Sequence, residues 1–158
     1  MLKRTRAIVA ATVSLIIIAF LISVAFFANR EPFGTPLLYL IVEGNFTVNA
    51  DSYKAYNFTT PTDISQCQVS GSFSVSGSNS SKIRVFIWDN AAFTNWQNGH
   101  VSKSPLGRAI SFYDSGLSTN GTIDASPYPG GTYWLIYTNN STEPQNVISQ
   151  ADFWYMIK

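Results

Sequence analysis

The one histidine of this 158-residue chain, His100, stands beside Gly99 in a polar stretch, with Ser102 and Ser104 close behind it. A hydroxyl nucleophile needs a base, and the base needs a group that orients it. No acid is spaced to orient His100, which reads as a loop or surface residue. Cys67 is the single cysteine, so no intrachain disulfide forms. One thiol and one imidazole fall short of the three or four ligands that zinc takes. No glycine-rich phosphate loop precedes a helix. Asp89, Asp114 and Asp124 are scattered carboxylates. Asp89-Asn90 with backbone carbonyls has the oxygen donors that calcium favours, but the same pair suits a turn and a helix cap. No catalytic residue, metal or cofactor is expected from this inventory.

Planar rings are the second kind of chemistry the chain carries. Trp88, Trp96, Tyr128, Trp134 and Trp154 are candidates for a platform that stacks on a glycan or a protein partner. Trp88, Trp134 and Trp154 fall opposite in phase to the aliphatic residues of their own segments, so they point outward if the aliphatics fill the core. The competing reading places them in the core or at an edge. Of these three, Trp154 is expected to be the most buried, and Trp96, in a polar loop, is expected to be more exposed than any. A third chemistry is modification. Six Asn-x-Ser/Thr triplets begin at Asn45, Asn57, Asn79, Asn120, Asn139 and Asn140. They are glycosylation candidates on an exported surface; plain polar loop composition produces the same triplets.

The elements that must position these groups read as strands. In Gln66–Val75, Cys67, Val69, Phe73 and Val75 share one side while Gln and Ser take the other. Cys67 then reads as a small buried apolar residue. Lys82–Asp89 turns Ile83, Val85 and Ile87 inward and Arg84, Phe86 and Trp88 outward. Thr132–Thr138 alternates Tyr133, Leu135 and Tyr137 with Trp134 and Ile136, and Asn146–Ile157 is a long last strand. In Tyr53–Thr59, Tyr56 and Phe58 are read onto different faces around Asn57. Leu37–Val42 is an apolar run that either begins the sandwich or packs on a membrane surface. Further short strands are read at Ala109–Tyr113 and Thr122–Ala125. Ala91–Gly99 lacks alternation and reads as a short helical turn capped by Asn90 or Asp89. About eight strands with no helical period among them predict an all-β, antiparallel two-sheet sandwich, jelly-roll-like.

Ahead of the sandwich, Ala7–Ala28 is an unbroken apolar run preceded by Lys3, Arg4 and Arg6. As a helix of about 22 residues it spans ~33 Å, against a hydrocarbon core of ~30 Å. A single transmembrane helix is therefore expected to precede the sandwich, with the lipid bilayer as its partner. Two other fates stay open: signal-peptide cleavage after Ala25, and a pilin-type cut after Ala7. The basic flank puts the N-terminus in the cytoplasm and the C-terminal domain outside. The expected organisation is a cytoplasmic tip (1–6), a membrane helix (7–28), a juxtamembrane stalk (29–44) and an extracytoplasmic β-sandwich (45–158). From residue 32 onward six basic residues face eight acids, a net of −2 with no basic patch. That excludes nucleic acid as a partner.

Three stretches carry a resemblance. Val69-Ser70-Gly71-Ser72-Phe73, Phe93-Thr94-Asn95-Trp96-Gln97-Asn98-Gly99-His100 and Gly130-Gly131-Thr132-Tyr133-Trp134-Leu135-Ile136-Tyr137-Thr138-Asn139 occur in this order. Over about Asn45–Lys158 the chain resembles uncharacterised exported β-sandwich proteins similar to pre-peptidase C-terminal and Golgi-dynamics-type domains. The resemblance implies a noncatalytic binding or assembly module and supplies no catalytic residues. The expected function is thus a membrane-anchored binding or assembly module of the cell surface, its partner a surface protein or glycan. The alternatives are a pilin-like filament subunit and a carbohydrate-binding jelly roll.

Overall fold

The computed structural model describes residues 35–77, 81–102 and 111–158. The expected cytoplasmic tip and membrane helix lie outside the described residues. Among the described residues no helix is long and apolar enough to cross a membrane. Thr35–Lys158 forms one compact unit. Its strands are β1 (Leu37–Val48), β2 (Ser52–Thr59), β3 (Ile64–Ser76), β4 (Ile83–Asp89), β5 (Ser111–Ser118), β6 (Asn120–Ala125), β7 (Thr132–Asn139) and β8 (Gln145–Ile157). Among the described residues one helix, α1 (Asn90–Ser102), follows β4.

The ladders follow one rule. β1 pairs with β8, β2 with β7, β3 with β6 and β4 with β5, all antiparallel. This is a long ribbon of strand pairs, folded so that successive pairs fall in alternate sheets. β3 then pairs with β8, and β4 with β7, to close the sheets. The first sheet has the order β1-β8-β3-β6 and the second β2-β7-β4-β5. Two four-stranded antiparallel sheets in this order make the jelly-roll form of sandwich. One end, here the lower, holds the start of β1 and the end of β8, where Leu37 faces Tyr155. The β1–β2 and β7–β8 turns lie at the upper end, where the Asp51 N–H donates to the Ser141 carbonyl.

The inner faces follow the two-residue period of a strand. Val69 and Phe73 of β3, Ile83, Val85 and Ile87 of β4, Leu135 of β7 and Val147 and Phe153 of β8 form the core between the sheets. Tyr56 and Phe58 correct the sequence reading, because both turn inward. Phe58 stacks on Tyr133 at 5.7 Å and Tyr56 meets Tyr137 edge-on at 6.1 Å. Residues two apart on an extended strand point the same way.

The stalk boundary is also corrected. β1 starts at Leu37, so residues expected in a stalk up to 44 belong to the first sheet. Its register shifts between Leu40 and Val42. Such a bulge changes which alternate residues face the core. Tyr39 pairs with Phe153 and Val42 with Ala151, while Leu38 and Leu40 pair with the outward Trp154 and Asp152. β5 runs beyond its expected end at Tyr113, through to Ser118.

Tyr137 is a buried phenol whose hydroxyl meets the Ser149 hydroxyl at 2.7 Å. Ser149 in turn donates to the Ser72 carbonyl at 2.9 Å. Burial pushes the Tyr137 pKa well above the ordinary phenol value, with the Ser149 hydrogen bond working against it. Partial burial pushes Tyr56, Tyr113 and Tyr133 the same way. The unfolded phenol ionises near pH ~10 while the folded one stays neutral. Its contribution to stability is therefore full below that pH and is lost as pH rises above it. Tyr137→Phe should cost about 1 kcal/mol at neutral pH. It should then lose less melting temperature than the wild type when taken above pH ~10. Parallel losses in the two proteins would refute the assignment.

Candidate functional site

The outer face of the second sheet is sealed by α1. Asp89 opens the helix as its N-cap, its Oδ1 accepting the Ala92 N–H at 2.6 Å. Asn90 Oδ1 accepts the Trp134 indole N–H at 3.0 Å and ties the helix start to β7. The pair considered for calcium is thus engaged as a cap and a tie. Among the described residues no three His, Cys, Asp or Glu side chains gather to hold a metal. Ala92, Phe93 and Trp96 of α1 then lie on Phe86, Trp88, Trp134 and Ile136. Ring centroids are 4.4 Å apart for Phe86 and Trp88, 5.4 Å for Trp88 and Trp96, and 4.5 Å for Phe93 and Trp134. Tyr53 of β2 closes the side, 4.9 Å from Trp96, with its hydroxyl accepting Gln97 Nε2 at 2.7 Å.

Trp88, Trp96 and Trp134 therefore belong to a second hydrophobic cluster. The outward phase expected for Trp88 and Trp134 holds, but the face is covered. Trp88 is 5% exposed, which corrects the expectation that Trp154 is the most buried of its set. Its Nε1 has no hydrogen-bond partner among the described residues. The signal for this cover lies in Ala92, Phe93 and Trp96, whose spacing puts them on one helical face.

Among the described residues no helix packs on the outer face of the first sheet, which is lined largely by hydroxyls, amides and carboxylates. The ladders set them in rows, with neighbours within a row about 4.8 Å apart across the strands. One row holds Gln68 opposite Trp154, with Leu38 beyond; the next holds Asp124, Ser70 and Asp152. Above it Thr122, Ser72 and Gln150 line up, and then Asn120, Ser74, Ile148 and Asn45. Gln68 Nε2 donates to Asp124 Oδ1 at 2.6 Å, and Gln150 Nε2 to Asp152 Oδ2 at 3.5 Å. Trp154 is the one tryptophan on this face, half-buried between Leu38 and Gln68. The surface can stack one planar ring and donate or accept hydrogen bonds around it.

Tyr128 stands apart in the β6–β7 turn, 71% exposed and edge-on to Phe112 at 5.4 Å. The five aromatic candidates thus occupy three places and form no single platform. Cys67 is half-buried, its thiol donating to the Pro127 carbonyl at 2.9 Å, and burial pushes its pKa up. The side chains of His100, Ser102 and Ser104 lie outside the described residues.

The glycosylation candidates also separate. Asn45, Asn57, Asn120 and Asn140 are exposed, and Asn79 lies outside the described residues. Asn139 is fully buried, which removes it from the candidates. Its Nδ2 donates to the carbonyls of Val48, Asn49 and Glu143, and its Oδ1 accepts the Ser141 N–H and hydroxyl. The triplet there is a structural clasp between two turns.

No family model matches the chain, and no curated protein matches it. Among solved structures, a mitogen from Yersinia pseudotuberculosis is similar over 79% of this chain and 87% of its own, at 8% identity and a TM-score of 0.42. PliG of Aeromonas hydrophila, a periplasmic inhibitor of g-type lysozyme, is similar over 79% and 89%, at 12% identity and a TM-score of 0.39. A protein of the Bacillus endospore appendages, described as disulfide-linked pili, is similar over 82% and 94%, at 9% identity and a TM-score of 0.37. At these scores none of them lends its activity, ligand or assembly to this chain.

Proposed function

We propose that this chain is a membrane-anchored, extracytoplasmic, noncatalytic binding module that binds through the open face of its first sheet. One observation carries the reading: of the two outer sheet faces, one is covered by α1 over an aromatic cluster, while the other has no such cover among the described residues and is polar along β3 and β6. A glycan of the cell surface is the ligand class that suits this face. Trp154 stacks on a sugar ring, and Gln68, Asp124 and Asp152 hydrogen-bond to its hydroxyls. The anchor is Ala7–Ala28, and the basic flank keeps the tip inside and the sandwich outside.

The test is a glycan array probed with the detergent-solubilised full chain. Trp154→Ala should weaken binding to any captured glycan by about tenfold, the loss of ~1.4 kcal/mol expected for an aromatic anchor. Gln68→Ala should weaken it further while leaving the melting temperature near wild type. Unchanged affinity in both variants would sink the reading. The filament alternative has one observation in its favour: β1 is a sheet edge with an apolar first half. N-terminal sequencing of the mature protein separates the two, because a pilin-type cut leaves Ile8 first.

A further inference from the structure

We propose that the lower end of the sandwich sits in the headgroup layer of the bilayer, with Leu38, Leu40 and Ile157 as its apolar contacts. The proposal rests on the anchor reading above and adds a second, independent lipid contact. Eight large hydrophobic side chains are exposed among the described residues. Six of them, Leu37, Leu38, Tyr39, Leu40, Tyr128 and Ile157, lie at the lower end, where β1 starts, β8 stops and the β6–β7 turn meets Thr60 and Cys67. Leu117 and Ile148 are the two elsewhere. A sandwich surrounded by water gains nothing from gathering them at one end.

Chain length says what covers them. Between the apolar run ending at Ala28 and β1 starting at Leu37 the sequence has only residues 29–36. Fully extended, they reach at most about 26–29 Å. A bilayer that holds Ala7–Ala28 is therefore always within reach of this end and never far from it.

The chemistry fits the interface more than the hydrocarbon. Leucine and isoleucine enter the apolar boundary, while Tyr39 and Tyr128 have the amphipathic rings that favour the headgroup level. Lys158, beside Ile157, can extend its ammonium to the phosphates. β1 is also an edge strand, so part of its backbone N–H and C=O groups needs water. Those groups bar the strand from the hydrocarbon and limit the contact to side chains. A groove of about 460 Å³ between the start of β1 and the end of β2, floored by Phe58 and Phe153, adds a concave apolar wall there.

The test uses the full chain, with Cys67→Ser as background, reconstituted in phosphatidylcholine vesicles. Single cysteines replace Ile17, Leu38 or Ile148, and each carries an environment-sensitive fluorophore. Two lipids serve as quenchers in separate vesicles, one spin-labelled at mid-chain to read Ile17 and one spin-labelled near the headgroup to read Leu38 and Ile148. The proposal expects quenching at Ile17 and Leu38 and none at Ile148. If Ile17 is quenched while Leu38 stays as bright as Ile148, the anchor stands and the seated end is wrong. If Ile17 is not quenched, the anchor reading falls and takes this proposal with it. Blue-shifted emission at Leu38 without lipid quenching assigns the patch to a second copy of the chain, which also overturns the proposal. Leu38 and Ile148 are both exposed, so neither label disturbs the core.

Discussion

Asn139→Asp should cost about 3–5 kcal/mol, the range for an uncompensated charge in a buried site. Native domains hold only ~5–15 kcal/mol, so much of the fold's margin goes with it. The Asn139 amide supplies hydrogens to three carbonyl oxygens, those of Val48, Asn49 and Glu143. A carboxylate supplies none and sets a negative charge against all three. Asn140→Asp, one residue away and exposed, should leave the melting temperature almost unchanged. Urea titration of the two full-length variants in detergent checks the contrast. If the two curves coincide, the clasp does not hold the upper end. The same pair reads the modification question: any glycan on this turn should disappear with Asn140 and not depend on Asn139.

Trp88→Ala should cost about 3–5 kcal/mol, as for a large aromatic removed from a packed interior. Trp88 lies between Phe86 and Trp96 at ring distances of 4.4 Å and 5.4 Å, so its loss leaves a hole under α1. Trp154→Ala, on the open face, should lower the melting temperature far less. Equal losses from the two would mean that the two outer faces are not as different as their geometry. Quenching by a water-soluble reagent offers a second check, since Trp88 should be shielded in the folded chain.

Much of the architecture was legible because alternation is strict where it matters. β4 has Ile83, Val85 and Ile87 in one phase and Phe86 and Trp88 in the other, and both sets landed on their expected sides. What alternation cannot say is whether an outer face is covered. That depends on α1, which reads as a short helical turn, but whose three apolar residues among polar neighbours do not reveal that it covers a sheet. For the start of β1 the reading stayed open, Leu37–Val42 being either the start of the sandwich or a membrane contact, for a different reason. Its bulge at Ile41 changes the parity, and a run apolar in both phases conceals where the change falls. Asn139 shows the limit of a triplet motif. Asn-x-Ser records three neighbours in sequence, whereas the clasp depends on Val48 and Asn49, about ninety residues away.

The place of β8 in the first sheet has a consequence for how the domain comes into being. β8 is the last strand among the described residues, yet it lies between β1 and β3 and is the sole partner β1 has among them. Until its thirteen residues are delivered, β1 has no neighbour to pair with and the first sheet stays open. The sandwich cannot close progressively behind a moving chain; it closes in one late step that joins its first strand to its last. Such long-range pairing is slow by its topology.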